Sequence, residues 1–418
     1  MAASPDPMTP LERRASIALA AVFGLRMLGL FMLLPVFAVE ARRMPGGDDP
    51  TLVGIALGAY GLVQALLQLP LGLASDRFGR KPVIIAGLLV FAAGSVVAAF
   101  AEGVVGVILG RALQGAGAVS AAVTALVADS TRDSQRTKAM ALIGVSVALA
   151  FAFTLVAAPW LVAQAGLRGL FELTAALALA AVAVTAWVVP PAPRREVPAR
   201  VTPLATLLLT PDLLRLNIGV FTLHAVQIAF FMIVPAWLVE RAGVPLAQHA
   251  PLYLAAVLGS LLLMIAPLGW GERHGRLRPV FAGAIVVLLG VLLALMAEPA
   301  GLVLLVGLMT LYLTAFNVLE ASLPSLVSRM APADARGAAL GVYNTVQSVG
   351  MFVGGAAGGW LLGRAGPAAV LAACAVLVVV WFLAAVGQKR WPGRGGAMTA
   401  GPGNATQGAS PAGAQERG

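Results

Sequence analysis

Charged side chains are scarce in this sequence, where Asp, Glu, Lys and Arg make up 11% of 418 residues and hydrophobic residues make up 60%. A soluble chain of this length would have too little polar surface to cover its core. Acidic residues are the rarer class, with 18 against 28 basic ones. Because the basic residues lie mainly in short stretches between apolar runs, they are typical of loops that orient membrane helices. We therefore expect a membrane protein embedded in a lipid bilayer, with no nucleic-acid partner.

Cysteine and histidine are also nearly absent. The one cysteine, Cys374, lies in an apolar run, which excludes a disulfide framework and a cysteine-based metal site. The three histidines, His224, His249 and His274, lie far apart in sequence and at different predicted depths. A membrane-embedded enzyme would need a cluster of histidines and carboxylates or a nucleophile constellation. We therefore expect a protein that is not an enzyme and that binds no cofactor.

Long apolar runs dominate what is present. Each can cross about 30 Å of hydrocarbon as a helix. They form two sets of six, near residues 15–38, 51–74, 82–101, 103–127, 139–163 and 168–190, and near 213–239, 249–270, 279–298, 300–327, 337–363 and 366–386. The first run follows no short hydrophobic region with a cleavage site, so we expect it to remain as a membrane helix.

Five regions follow from this pattern. We predict a cytoplasmic N-terminus (1–14), an N-terminal six-helix bundle (15–190), a cytoplasmic linker (191–212), a C-terminal six-helix bundle (213–386) and a disordered cytoplasmic tail (387–418). The linker is rich in Pro and Arg and the tail in Gly, Ala and Pro, so neither composition favours a continuous helix.

The distribution of basic residues predicts the orientation. With both termini on one side, most Lys and Arg fall on that side, and the loops of the opposite side carry only Arg42, Arg43, Arg168, Arg241 and Arg364. Basic loops stay in the cytoplasm. The sequence therefore predicts a multi-pass protein of a bacterial inner membrane with cytoplasmic N and C termini.

The two halves repeat each other. Residues 22–40 realign with residues 220–240, which places Arg26 against His224, and residues 70–83 realign with residues 267–280. Parallel repeats of this kind are typical of transporters built from two bundles with the substrate between them.

The charged loop between the second and third segments carries a recognisable motif. The stretch PLGLASDRFGRKPV contains the pattern G-x-x-x-D-R-x-G-R-K. Its specified positions are Gly72, Asp76, Arg77, Gly79, Arg80 and Lys81. A merely solvated basic turn would explain the Arg and Lys residues but not Asp76 and the glycines. The loop resembles loop 2-3 of the major facilitator superfamily. This resemblance implies an all-α membrane protein with twelve transmembrane helices in two pseudo-symmetric six-helix bundles.

Further stretches narrow the resemblance. The sequences LRMLGLFMLLPV, GRALQGAGA, TRDSQRTKAMALIGVS and FNVLEASLPSLVSR are similar to the YajR-type branch of the drug:proton antiporters. The resemblance implies export coupled to a proton gradient. The sequence departs from the pattern of that branch in two places. The stretch after Val386 does not resemble the small soluble domain that the branch carries. The fifth segment lacks the glycines that antiporters carry around a Gly-Pro pair. The direction of transport is therefore left open by the sequence.

The same resemblance assigns a conformational latch. Its members are the six motif residues together with Asp129, which ends the fourth segment and is the natural carboxylate partner for Arg80. The alternative for Asp129 is a solvated residue at a helix end.

Two arginines lie within the predicted membrane segments. Arg26 and Arg111 cannot face lipid at that depth, so each is a functional candidate. Arg111 and Gln114 fit the superfamily pattern R-x-x-Q-G-x-G, which implies proton coupling or substrate contact. The alternative for both arginines is a pairing with carbonyls or glutamines that fixes helix packing.

Three further ionisable residues complete the candidates. Glu320, with Asn317 one turn earlier, is the most central carboxylate of the C-terminal half, and burial favours its protonated form while a nearby cation favours its ionised form. His224 lies at mid-depth, and Glu172 lies near the outer surface. Each has a structural alternative: a static carboxylate beside an Arg or Asn for Glu320, a packed hydrogen-bonded ring for His224, and simple contact with water for Glu172.

The predicted cavity helices offer few hydrogen-bonding side chains, which favours an apolar or amphipathic small-molecule substrate over a sugar. The sequence therefore predicts a monomeric, proton-coupled exporter of hydrophobic or amphipathic compounds that works by alternating access. An exporter of a specific metabolite, such as an amino acid or sugar derivative, is the alternative. A sensor without transport would need an output module, for which the tail shows no pattern.

Overall fold

The computed structural model describes residues 7–117, 119–191, 210–332, 335–388, 390–392 and 398–400. Nearly all of them are helical. The helices are α1 (Pro10–Phe31), α2 (Phe37–Glu40), α3 (Pro50–Phe78), α4 (Arg80–Ala99), α5 (Val104–Ala116), α6 (Ser120–Asp129), α7 (Asp133–Ala183), α8 (Pro211–Glu240), α9 (His249–His274), α10 (Leu277–Met296), α11 (Leu302–Met330) and α12 (Arg336–Val386). A π-helical turn, Val184–Val188, follows α7, and short 3-10 turns follow α2 and precede α9.

The ends of these helices follow from local sequence. Thr9 and Glu12 form a capping box at the start of α1, in which each side chain accepts a hydrogen bond from the other's backbone N–H. The Asp49 carboxylate caps α3, which begins at Pro50. Gly79, with φ of 97°, ends α3 and leads directly into α4.

Ten helical stretches of the described residues are long and apolar enough to cross a membrane. Two of the helices, α7 and α12, contain 51 residues each, which is about 75 Å at 1.5 Å per residue and more than twice the hydrocarbon thickness. Each is interrupted by one glycine with positive φ, Gly166 (65°) and Gly366 (77°). Division at these glycines gives the twelve segments that the sequence predicts.

Two predicted segments are broken where the sequence indicated one helix. The first ends at Phe31, four residues before Pro35, and resumes as α2, because proline has no N–H for the helical ladder. The fourth divides into α5 and α6 next to Gly117, where a Cβ would lie 2.3 Å from the Gly87 carbonyl oxygen. This close approach brings α4 against the α5–α6 junction.

The halves meet along a glycine seam between α3 and α12. A Cβ on Gly54 would lie 2.0 Å from the Gly355 carbonyl oxygen, and one on Gly359 would lie 2.3 Å from the Pro50 carbonyl oxygen. Two other glycines of α12, Gly350 and Gly354, pack instead on the backbone of α8 within their own half.

The closed end of the molecule lies opposite the termini. At that end Arg42 of one half forms an ion pair with Glu240 of the other, and the Tyr253 hydroxyl donates to the Pro35 carbonyl oxygen at 3.4 Å. Deeper in the protein, the Gln64 side chain donates to Ser348 Oγ across the seam. With the predicted orientation of the termini, this conformation is closed toward the outside.

The start of the predicted disordered tail packs against the C-terminal bundle. Trp391 is buried and its ring lies 5.6 Å from that of Phe281. Residues 390–392 pair with residues 398–400 as short antiparallel strands. Residues 192–209 of the linker and residues 389, 393–397 and 401–418 of the tail lie outside the described residues, so the cytoplasmic linker and the disorder of the tail stay predictions.

Candidate functional site

The latch centres on Arg80, at the first turn of α4. Its guanidinium contacts Asp76 Oδ1 at 2.5 Å, and it donates to Asp129 Oδ2 at 3.1 Å and to Ser75 Oγ at 2.7 Å. Asp129 is the carboxylate that the sequence predicted as its partner. All of these groups belong to the N-terminal half, so in this conformation the charge network fixes the loop against the end of α6.

Two other residues of the motif, Lys81 and Arg77, contact groups that do not belong to the charge network around Arg80. Lys81 Nζ donates to the Val189 carbonyl oxygen at 2.7 Å and to that of Ala186 at 3.3 Å, which places it at the carboxyl end of the sixth membrane segment. The Arg77 guanidinium lies over the ring of Phe78. Lys81 therefore binds unpaired carbonyls at a helix end, where a cation also interacts favourably with the helix dipole.

Replacing Arg80 with Ala should lower transport about tenfold or more while leaving the protein folded. Its charge-assisted hydrogen bonds to Asp76 and Asp129 are each worth about 1.5–3 kcal/mol, and their loss shifts the balance between the two transporting conformations. The measurement is initial transport rate at equal expression, with Asp76→Asn as a second variant. Arg273→Ala, in the matching loop of the other half, is the control, and a loss equal to that control would contradict a latch role.

In the N-terminal half, Arg26 lies at the centre of a buried polar cluster. Its guanidinium donates to Ser120 Oγ at 2.7 Å, to Gln64 Oε1 at 3.0 Å and to the Tyr60 hydroxyl. The Arg26 side chain is only 1% exposed, and no carboxylate of the described residues pairs with it. The cluster therefore holds a buried positive charge with neutral partners.

Arg111 is a second buried cation next to Tyr60. Its guanidinium lies 5.1 Å from the centre of the Tyr60 ring and donates to Gln114 Oε1 at 2.9 Å, and Gln114 in turn donates to Ser95. Arg111 is fully buried, and among the described residues it too has no acidic partner. Tyr60 thus contacts two cations, a role that the sequence did not indicate.

Gln64 connects this cluster to the opposite half. Its carbonyl oxygen accepts from Arg26, and its amide donates to Ser348 Oγ on α12 at 3.0 Å. When the halves separate along the seam this hydrogen bond must break, so the environment of Arg26 depends on the conformation. The contact joins residues 284 positions apart, and no local pattern in the sequence could reveal it.

In the C-terminal half, the structure brings His224 and Glu320 together. His224 Nε2 lies 3.7 Å from Glu320 Oε2 and 2.6 Å from the Gln347 amide nitrogen, while Nδ1 lies 3.0 Å from the Val220 carbonyl oxygen. A neutral ring protonated on Nδ1 can accept from Gln347. A doubly protonated ring can instead form an ion pair with Glu320.

Glu320 is the partly open member of this pair. Its side chain is 31% exposed, yet its Oε2 atom is buried without a hydrogen-bond partner among the described residues. An unsatisfied carboxylate oxygen is costly unless the group is protonated or a cation approaches. Glu320 therefore presents a buried oxygen atom that has no hydrogen-bond partner in the described part of the chain.

The remaining candidates lie apart from this pair. The Asn317 amide donates to Ser260 Oγ at 3.2 Å and does not bond Glu320. Glu172 forms an exposed ion pair with Arg168 at 2.8 Å near the closed end. The surroundings of Glu172 match the structural alternative given for it above, in which the carboxylate simply contacts water.

An aromatic cluster lies beside the His224–Glu320 pair and spans both halves. The ring of Phe151 lies 5.2 Å from Phe31 in its own half, and 5.5 Å from Phe316 and 6.3 Å from Phe231 in the other. Phe316 also packs edge-on against His224 and precedes Glu320 by one helical turn. An apolar surface therefore adjoins the ionisable pair at the boundary between the halves.

The described residues contain no cluster of three or more His, Cys, Asp or Glu side chains that could hold a metal ion.

Comparison with known proteins fits this architecture. The Major Facilitator Superfamily profile matches residues 17–355 and 252–394. The chain is 43% identical over 390 residues to the inner membrane transport protein YajR of Escherichia coli K12, covering 92% of this chain and 85% of YajR. It is 28% identical over 347 residues to the multidrug resistance protein MdtH of Escherichia coli O9:H4, covering 80% of this chain and 83% of MdtH.

Solved structures share the same fold. A bacterial homolog of the human lysosomal transporter Spinster, in an inward-facing and occupied conformation, superposes with a TM-score of 0.71 at 14% identity, covering 91% of this chain and 97% of that one. These matches are to transporters and not to enzymes. The two repeated bundles, the latch loop and these similarities together show that the chain belongs to the Major Facilitator Superfamily, as a multi-pass transporter of the inner membrane.

Proposed function

We propose that the protein is a proton-coupled exporter of hydrophobic or amphipathic small molecules, of the multidrug-efflux type. It works as a monomer by alternating access, with both termini in the cytoplasm, and uses the proton gradient in place of a cofactor. The relationship to YajR and to MdtH, which is named a multidrug resistance protein, supports this assignment.

The observation that carries the proposal is the His224–Glu320 pair beside the aromatic cluster. A proton on Glu320 removes the charge from the apolar boundary between the halves, and its departure restores a carboxylate that can interact with His224. When a substrate packs on Phe316 and displaces this proton, the site holds either the substrate or the proton but not both. Coupling then follows, because each conformation favours a different occupant.

The direct test uses the wild-type protein in everted membrane vesicles. Uptake of a fluorescent lipophilic dye should require a proton gradient that is acidic inside the vesicle, because protons leave the lumen as dye enters, and should stop when a protonophore collapses that gradient. The control is vesicles without the protein. Equal uptake with and without the gradient would contradict proton coupling, and no uptake of any lipophilic dye would contradict the substrate class.

One observation favours the second candidate, an exporter of a specific metabolite. Arg26 and Arg111 are buried without an acidic partner among the described residues, and each has an Nε–H with no hydrogen-bond partner there. Such groups can bind the carboxylate or phosphate of a polar metabolite.

If a metabolite anion is the substrate, Arg26→Gln should weaken its binding roughly tenfold or more, because a charge-assisted hydrogen bond contributes about 1.5–3 kcal/mol. Arg111→Gln should do the same, and the added metabolite should inhibit dye efflux by the wild type more strongly than by either variant. Competition of candidate anions with dye efflux measures this. Lack of inhibition by any amino acid or sugar phosphate would favour the multidrug assignment.

A further inference from the structure

A groove lies on the lipid-facing surface at the end of the molecule that carries the termini. It encloses about 440 Å³ between the start of α1 and the π-helical turn that ends the sixth membrane segment. Its apolar wall is formed by Ile17, Ala18, Ala21, Val184 and Val188. The groove is separate from the candidate transport site, which lies between the two halves.

Cations surround the mouth of this groove. Arg13 lines it and is exposed, and its side chain has no ion pair or hydrogen bond to any described residue. Arg14 Nε donates to the Val188 carbonyl oxygen at 3.0 Å, and Lys81 Nζ donates to that of Val189. None of the three pairs with a carboxylate of the described residues, and the neighbouring Glu12 is held by Arg132 at 2.9 Å.

A tryptophan stands next to these cations. Trp187 lies in the π-helical turn and is 80% exposed, the most exposed of the tryptophans that lie in the membrane helices. Tryptophan side chains favour the level of lipid headgroups, where the ring meets both hydrocarbon and water. The groove therefore has an apolar floor, a tryptophan at its edge and a basic rim.

The matching corner of the C-terminal half is built differently. There Arg215 forms an ion pair with Asp212 at 3.2 Å, and Trp391 covers the neighbouring Phe281. Arg278, which stands before the repeated Pro-Val as Lys81 does, donates to the Val386 carbonyl oxygen at 3.0 Å. The same fold element thus occurs twice, but at the C-terminal corner Arg215 is paired with a carboxylate, whereas Arg13 and Arg14 have no acidic partner in the described part of the chain.

We propose that this groove is a binding site for one anionic phospholipid. Its phosphate contacts Arg13 and Arg14, with Lys81 adding to the local positive potential, and an acyl chain lies along Ile17 and Val188. Basic pockets between membrane helices on the cytoplasmic side suit such headgroups, since the charge attraction adds to the burial of the chain. The bound lipid would join α1 to the segment that leads into the linker.

The test titrates the delipidated full-length protein with phosphatidylglycerol and follows one-to-one binding by native mass spectrometry. Phosphatidylglycerol should bind more tightly than phosphatidylcholine. Arg13→Gln combined with Arg14→Gln should weaken its binding roughly thirtyfold, as expected for two basic groups at an anionic surface. Arg278→Gln, at the matching corner, should bind as the wild type does.

Two further measurements test the phospholipid site independently of the double variant. Arg13→Gln alone removes no hydrogen bond of the described structure, so it should stay folded and still lose part of the affinity. Brominated phosphatidylglycerol should quench wild-type fluorescence more than that of Trp187→Phe. Unchanged affinity in the arginine variants, equal quenching in the Trp187 variant, or full competition by soluble glycerol 3-phosphate would each overturn a phospholipid site.

Discussion

Replacing Glu320 with Gln should abolish gradient-driven accumulation of substrate while leaving substrate binding and downhill exchange intact. Coupling requires a group whose ionisation differs between the two conformations, and an amide cannot ionise. Gln also keeps the shape and hydrogen-bonding capacity of a protonated Glu320, so the contacts of α11 should persist. Dye binding and proton-driven transport, measured on the same purified protein in liposomes, separate the two steps.

Other variants make this prediction specific. Glu172→Gln is the matched control, because that carboxylate forms an exposed ion pair with Arg168 and its loss should change transport little. His224→Gln should weaken coupling, because it removes the imidazole whose Nε2 atom lies 3.7 Å from Glu320 Oε2. If Glu320→Gln kept full driven transport, Glu320 would have no part in coupling. A parallel loss of binding and transport would instead assign it a structural role.

The sequence predicted those features that local patterns and the internal repeat encode. The apolar runs gave the membrane segments, and the motif around Arg80 gave the loop and its partner Asp129, because both depend on residue types at fixed spacing. The repeat placed Arg26 against His224, and the structure puts each at the centre of a polar cluster in its own half.

Contacts between distant helices could not be predicted in this way. Three sets of contacts depend on how helices rotate about their axes: the Gln64–Ser348 hydrogen bond, the contacts of Tyr60 with both Arg26 and Arg111, and the hydrogen bonds from Lys81 to the sixth segment. Periodicity does not fix that rotation in a helix that is apolar on nearly every face. For the same reason, the sequence identified His224 and Glu320 as separate candidates but could not show that they lie close together.

The glycine seam controls how closely the two halves can approach. Gly54 and Gly355 oppose each other so tightly that a Cβ on Gly355 would lie 2.2 Å from the Gly54 carbonyl oxygen. Small residues let backbones of neighbouring membrane helices come together, and dispersion forces over the whole contact stabilise the closed end. Any side chain at this point must separate α3 from α12 because the obstacle is backbone, which cannot rotate away.

Gly355→Ala should therefore disfavour the closed outer end and reduce transport to a small fraction of the wild-type rate. The added methyl group forces the seam apart by about 1 Å, which forfeits much of the van der Waals contact along it. Gly283→Ala is the matched control, because a Cβ there meets nothing within 4 Å. Spin labels on Asp48→Cys and Gln248→Cys, in outer loops of the two halves, should report longer distances in Gly355→Ala than in the control. Equal distances and equal transport in the two variants would show that the seam does not limit closure, and the Arg42–Glu240 ion pair would then be the next contact to examine.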